Sequence, residues 1–263
     1  MMLTEVDSKV LCLGYPIYKA TLDNLPLKSK LLVSTINQYS YCIAEEDAEF
    51  KKALLGSDVI LPDGVGITLA AKWLNGASIK KIAGADFHEY QLKRLNENYG
   101  SCFYLGASSN TLAKIESRLK GEYPNIKFAS YAPPFKSQFT EEENLSMIEA
   151  VNSFNPDVLF VGMTAPKQEK WSHAHKNALN AKIICSIGAV FDFYAGTVER
   201  PSKVWRDLGL EWLGRLVKEP KRMSKRYLYY GVVYAIHLVR AKFSKNHNPV
   251  LDIDYSNKKQ YFE

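Results

Sequence analysis

Val59-Ile60-Leu61-Pro62-Asp63-Gly64-Val65-Gly66 is an apolar run that meets a glycine turn at an aspartate. The run reads as a buried strand, and the apolar pattern over residues 67–74 reads as the helix that follows it. Asp63 is therefore held at the edge of a buried strand rather than on a solvated face. Gly64 and Gly66 let a ligand approach the backbone closely, and the N-terminus of the following helix faces the same space. The competing reading makes Asp63 a turn or N-cap residue, since Asp commonly opens helices.

The same strand-then-helix unit recurs on both sides. Strand-like runs at residues 31–35, 59–61, 102–105, 126–130, 158–161 and 183–187 alternate with helical periodicity over 41–55, 86–98, 110–123, 141–154 and 166–179. This alternation predicts an α/β fold, a Rossmann-like and mostly parallel sheet with helices on both faces. Several strands end in glycine: Leu105-Gly106, Val161-Gly162 and Ile187-Gly188. In a parallel sheet these ends share one edge, where open α/β sheets bind ligands, so Gly106 and Gly162 are expected to build one composite site with Asp63.

The chain has 263 residues, 24% of them charged and 46% hydrophobic, enough for one large domain with an appendage. Its start shows no basic-then-apolar signal segment, and the uncharged stretches near its end fall short of the roughly 20 residues needed to span a bilayer. A cytoplasmic protein is expected. Cys12, Cys42, Cys102 and Cys185 show no C-x-x-C spacing and read as buried, reduced thiols. His173 and His175, two apart on a helix, point to different faces, so no metal site is expected there.

Gly64-Val65-Gly66 with Asp86 about 20 residues on resembles half of a dinucleotide fingerprint, but the third glycine position holds Leu69 and an acid precedes the first glycine. Asp86 reads better as a helix cap. No G-x-S-x-G elbow and no P-loop occur. Asp252-Ile253-Asp254 has a metal-binding spacing but lies in a polar tail, where a solvated charge cluster is the simpler reading. A transferase built on this chain is expected to need no metal or other cofactor, and must then stabilise a leaving diphosphate with its own cations.

Those cations are concentrated at one end. Residues 200–245 hold 12 Lys and Arg against 3 Asp and Glu, a net of +9 in a chain of +6, which leaves the remainder at −3. Interleaved with Trp205, Trp212, Tyr227, Tyr229 and Tyr230, they compose an amphipathic segment suited to an anionic membrane surface. Nucleic acid would use the same charges, but no nucleic-acid module is present and the acidic remainder opposes it. Burial of the aromatic segment against another subunit, a homo-oligomer, is a further use for it. The expected organisation is an α/β unit at 1–198, a basic amphipathic appendage at 199–245 and a polar tail at 246–263.

Taken together, Leu61-Pro62-Asp63-Gly64-Val65-Gly66, Ala83-Gly84-Ala85-Asp86, Phe160-Val161-Gly162-Met163, Ala165-Pro166-Lys167-Gln168-Glu169, the block from Gly188 to Gly196 and Gly209-Leu210-Glu211-Trp212-Leu213 resemble the WecG/TagA/CpsF family of bacterial glycosyltransferases, glycosyltransferase family 26, in order over residues 35–227. The resemblance implies a GT-E-like fold. It implies transfer of a sugar, N-acetylmannosamine or a related hexose or uronic acid, from a UDP-sugar to a polyprenyl-pyrophosphate-linked sugar. The work would be done at the inner membrane face, in teichoic acid, capsule or exopolysaccharide assembly. It implies Asp63 as general base, Thr35, Asn37, Gly64, Gly66 and Gln168 around the pocket, and Arg215, Arg222 and Lys225 on the donor diphosphate. Lys81 stands where the family usually has arginine, keeping the charge without the bidentate fork. The alternative from another class is a nucleotide- or dinucleotide-binding module without transferase activity.

Overall fold

The computed structural model describes residues 8–200, 205 and 211–244, apart from the side chains of residues 211, 215, 218 and 222. An antiparallel hairpin, β1 (Lys9–Cys12) and β2 (Tyr15–Tyr18), opens the described chain. Its tight turn works because Leu13 and Gly14 both take positive φ, 53° and 84°, as a two-residue loop of matching twist requires. The pair falls outside the strands expected from sequence, since Leu13-Gly14 is a poor hairpin signal.

β3 (Leu31–Ile36) is followed by α1 (Gln38–Glu46) and α2 (Ala48–Leu55) where one helix over 41–55 is expected. Asp47 divides them: its extended backbone ends α1, and its carboxylate accepts from the Phe50 N–H to cap α2. Then come β4 (Val59–Pro62), α3 (Val65–Asn75), α4 (Gly84–Glu97), β5 (Ser101–Gly106), α5 (Ser109–Glu122), β6 (Lys127–Tyr131), α6 (Glu141–Phe154), β7 (Val158–Gly162), α7 (Lys167–His175), β8 (Ile183–Ser186) and α8 (Gly188–Tyr194). All six expected strands and the other expected helices occur. α6 starts on a reciprocal Thr140–Glu143 capping box, legible as T-x-x-E. The described residues close with α9 (Glu211–Lys218), α10 (Pro220–Ser224), a π-helical turn (Lys225–Tyr229) and α11 (Tyr230–Phe243).

The strands form one sheet in the order β1-β2-β4-β3-β8-β7-β5-β6, parallel except for the first pair. One face buries Val33, Leu61, Tyr104, Phe160 and Cys185 under α4, α5 and α8. The other face is covered in two parts: α6 and α7 over Leu105, Leu159 and Ile184, and α1, α2, α3 and α11 over Ile17, Ile36 and Ile60. Alternate residues of each strand thus go to opposite layers, the period-2 pattern of a sheet buried on both sides. All four cysteines are buried free thiols within these layers.

α1 and α2, which follow β3, lie on the α11 face, whereas α8, which follows β8, lies on the other. The chain therefore diverges at the carboxyl ends of these neighbouring strands, the arrangement at which open α/β sheets bind ligands. Among the described residues no helix is long and apolar enough to cross a membrane.

Candidate active site

Asp63 follows β4 directly and extends its ladder by one bond, its N–H donating to the Ile36 carbonyl at 2.8 Å. Continuing the alternation from Leu61, the Asp63 side chain belongs to the α4 and α8 layer, the layer shared by Thr35, whose Cα pairs with that of Leu61. Asp63 and Thr35 are both half-buried, at the carboxyl edge of the sheet rather than inside the core. Gly64, with φ 124°, turns the chain into α3 in a conformation that L side chains rarely adopt. A Cβ on Gly64 would meet nothing closer than Gln38 Oε1 at 3.4 Å, so the backbone beyond Asp63 is open on that side.

Lys81 is brought to the same turn by main-chain bonding. The Ile82 N–H donates to the Pro62 carbonyl at 3.0 Å, which lays the segment before α4 alongside the end of β4. Asp86, in the first turn of α4, reaches back to the Ala83 N–H at 3.0 Å and so acts as the cap expected of it; its other oxygen receives Arg200 at 3.3 Å. Arg200, counted by composition with the basic appendage, is thereby fastened to the start of α4.

Asn37 has a second duty. Its Oδ1 accepts from the Tyr39 and Ser40 N–H groups, both at 3.0 Å, and Ser40 Oγ accepts from the Asn37 N–H at 2.8 Å, a complete capping box for α1. The carboxamide oxygen is committed to the helix, which leaves the amide nitrogen as the group it can offer a ligand.

Gln168 and the glycines of the other strand ends are enclosed. Gln168 Nε2 donates to Glu169 Oε1 at 2.8 Å, while its Oε1 accepts from the Gly188 N–H at 3.1 Å. With both ends of its amide engaged and its side chain buried, Gln168 fastens the loop between β8 and α8. Glu169 is 3% exposed, and its Oε2 has no hydrogen-bond partner. Burial pushes its carboxyl up to about 7, against the weaker opposing effect of the Gln168 bond. A Cβ on Gly106 would collide with the Gly162 carbonyl, and one on Gly162 would stand 2.8 Å from the Phe191 ring. Gly106 and Gly162, expected to face a ligand, are buried and explained by close packing of β5 on β7 and of α8 on both.

Among the described side chains of residues 211–244, Arg226, which sequence reasoning did not single out, reaches this edge. The Arg226 guanidinium lies over the Tyr39 ring, 4.6 Å from its centroid, at the first turn of α1 beside Asn37. A signal existed, because Arg226, Tyr230 and Tyr234 fall four residues apart, and both tyrosines pack on α1. Lys225 instead lines an open cavity of about 660 Å³ with Glu46, Ser224 and Leu228, at the far end of α1 from Asn37. Arg215 and Arg222 lie on α9 and α10, and their side chains fall outside the described ones. Asp252 and Asp254 also lie outside the described residues. His173 faces Gly56 and His175 packs on Trp171, so the two diverge, and among the described residues no group of three His, Cys, Asp or Glu could hold a metal ion.

The sequence matches the model of the Glycosyl transferase WecG/TagA/CpsF family over residues 11–248. Two similar proteins both carry the description N-acetylglucosaminyldiphosphoundecaprenol N-acetyl-beta-D-mannosaminyltransferase. One, from Bacillus subtilis (strain 168), is 29% identical over 194 residues, covering 74% of each chain. The other, from Staphylococcus aureus (strain MW2), is 26% identical over 217 residues, covering 82% of this chain and 84% of its own.

Proposed function

Because the chain belongs to the WecG/TagA/CpsF family of glycosyltransferases, we propose that it moves an N-acetylmannosamine-like sugar from a UDP-sugar onto a polyprenyl-diphosphate-linked sugar in cell-surface polysaccharide assembly. The observation that carries the reading is the half-buried Asp63 carboxylate at the carboxyl edge of the sheet, with an open glycine turn after it and Thr35 in the same layer. Asp63 takes the proton of the acceptor hydroxyl as that oxygen attacks the anomeric carbon. The bond from the anomeric carbon to the diphosphate oxygen breaks, its electron pair leaves with UDP, and a single displacement inverts the anomeric centre.

Charge appearing on the leaving diphosphate needs cationic partners in place. Lys81 beside the turn and Arg226 over Tyr39 are held at this edge by the fold, and Arg215 and Arg222 are added by the segment that leads to Arg226, whereas Lys225 lines the cavity with Glu46. Residues 199–245 act in this reading as an appendage that closes over this edge and brings the enzyme to the inner membrane face, where a lipid-linked acceptor resides. No metal is required, since the chain's own cations meet the diphosphate.

The test is incubation of purified protein with a panel of UDP-sugars and short-chain lipid-diphosphate sugars, reading the mass gained by the acceptor. Addition of one N-acetylhexosamine, unaffected by chelator, is expected. Transfer only from donors other than UDP-sugars, or a strict divalent-cation requirement, overturns the corresponding part.

A further inference from the structure

α11 is apolar on two opposite faces, and the protein covers one of them. Tyr230 and Tyr234 are buried against α1, and the Tyr41 hydroxyl bonds His237 at 3.2 Å on the same side. The opposite side carries Val232, Ile236, Val239 and Phe243, spaced four, three and four apart, with exposures from 45% to 78%, and Leu228, 60% exposed, precedes them in the π-helical turn. A helix apolar all round belongs in an apolar environment all round. The charge on α11 is confined to Arg240 and Lys242 near its end.

The uncovered face continues onto α3, the helix that begins at the Asp63 turn. α3 and α11 run side by side in the same direction: Tyr234 Oη donates to the Gly66 carbonyl at 3.0 Å, and eight residues on Lys242 Nζ donates to the Trp73 carbonyl at 2.8 Å. Leu69 and Trp73, one turn apart on α3, are 61% and 42% exposed. Neither helix contains Asp or Glu, while Lys72, Arg240 and Lys242 give the pair three cations. Exposed apolar surface of this extent marks an interaction site, and an aromatic and aliphatic ridge on two helices that carry cations and no carboxylate matches the acyl boundary of an anionic bilayer; Glu46 stands beside Leu228, at the end of the ridge away from Lys242.

We propose that α3 and α11 together form the membrane-contact face, with Leu69 and Trp73 entering the lipid beside the apolar ridge of α11. The inference deepens the membrane placement of the proposed function by moving the contact from the appendage alone to the helix that carries the site. Since α3 starts one residue after Gly64, its contact with lipid fixes the height of the Asp63 turn above the bilayer, where the diphosphate of a lipid-linked acceptor emerges.

Leu69→Glu/Trp73→Glu is tested by vesicle pelleting and by sedimentation velocity, using phosphatidylglycerol and phosphatidylcholine vesicles. The double variant is expected to lose about tenfold or more in affinity for phosphatidylglycerol vesicles, since two apolar groups no longer enter the boundary. Its transfer to a short-chain soluble acceptor without vesicles should stay within about twofold, the usual range for surface changes. Brominated phosphatidylglycerol should quench tryptophan emission in the wild type and quench it less in Trp73→Phe. Unchanged vesicle affinity in the double variant overturns the proposal, as does a wild-type dimer that the double variant dissociates without changing vesicle affinity. A wild-type protein that transfers no sugar to lipid-diphosphate acceptors, yet binds vesicles through Leu69 and Trp73, sinks the reaction and supports the surface.

Discussion

Gly64 and Gly66, beyond β4, and Gly106 and Gly162, at the ends of β5 and β7, look alike in sequence but answer to different neighbours. At Gly64 and Gly66 an added Cβ would meet only the Gln38 side chain within close reach, at 3.4 and 3.0 Å, and a side-chain end can move. At Gly106 it would strike the main chain of Gly162, and at Gly162 the ring of Phe191. One half of the sheet edge keeps glycine to leave a surface open beside a carboxylate. The other half keeps it so that two strands and a helix can close. A strand-end glycine therefore indicates close approach to something, and the tertiary structure says whether that is ligand or protein.

Substitutions can break this contrast. The largest effect is expected at the open half: Asp63→Asn should lower turnover by about 10²–10⁴-fold, the span for loss of a general acid or base, while UDP binding measured by calorimetry is retained. Turnover near that of the wild type would remove Asp63 from the chemistry. At the closed half, Gly106→Ala should destabilise the fold by about 3 kcal/mol, combining a backbone conformation unfavourable to L residues with overpacking against main chain. A denaturation midpoint unchanged by that variant would show that the strand ends can part.

Glu169 sharpens the description of the closed half through pH. Its folded value of about 7 lies above the ordinary glutamate value of 4.5, so between these two pH values the folded state holds a proton that the unfolded state has lost. Stability conferred by the neutral acid is complete below 4.5 and is lost as pH rises through 7, by ~3 kcal/mol for a shift of this size. Glu169→Gln, which keeps an oxygen acceptor for Gln168, should remove that slope in denaturant titrations run from pH 5 to pH 8. The smallest effect on stability is expected from Gly66→Ala. Within a helix this change usually gains up to about 1 kcal/mol, so stability should hold while transfer falls if ligand uses the space beside Gln38. Full activity together with full stability would show that ligand does not approach there.

The sequence indicated the sheet and most helices because strands buried on both faces must be apolar throughout and the covering helices must repeat near 3.6 residues. The hairpin of Leu13-Gly14 and the break at Asp47 escaped that logic. In the first, a leucine takes positive φ to match the twist of its flanking strands; in the second, one carboxylate caps a helix inside an uninterrupted apolar pattern. The position of Asp63 at the end of β4 and the cap role of Asp86 were legible from the sequence around the element ends. Gln168 was named for the pocket, and its engagement by Glu169 and Gly188 was not legible, because these are brought to the two ends of its amide only on folding.

By itself the sequence determined the α/β alternation, the carboxylate at the end of β4, the concentration of cations near the chain end and the family. These follow from local chemistry and from the order of motifs along the chain. The tertiary structure decided that Arg226 reaches the first turn of α1 while Lys225 lines a cavity with Glu46, that Gly106 and Gly162 are closely packed, and that α3 and α11, each with exposed apolar residues, run side by side. Each is a relation between residues far apart in the chain, set by which helix faces the core buries, and no local pattern encodes which neighbour fills the remaining side.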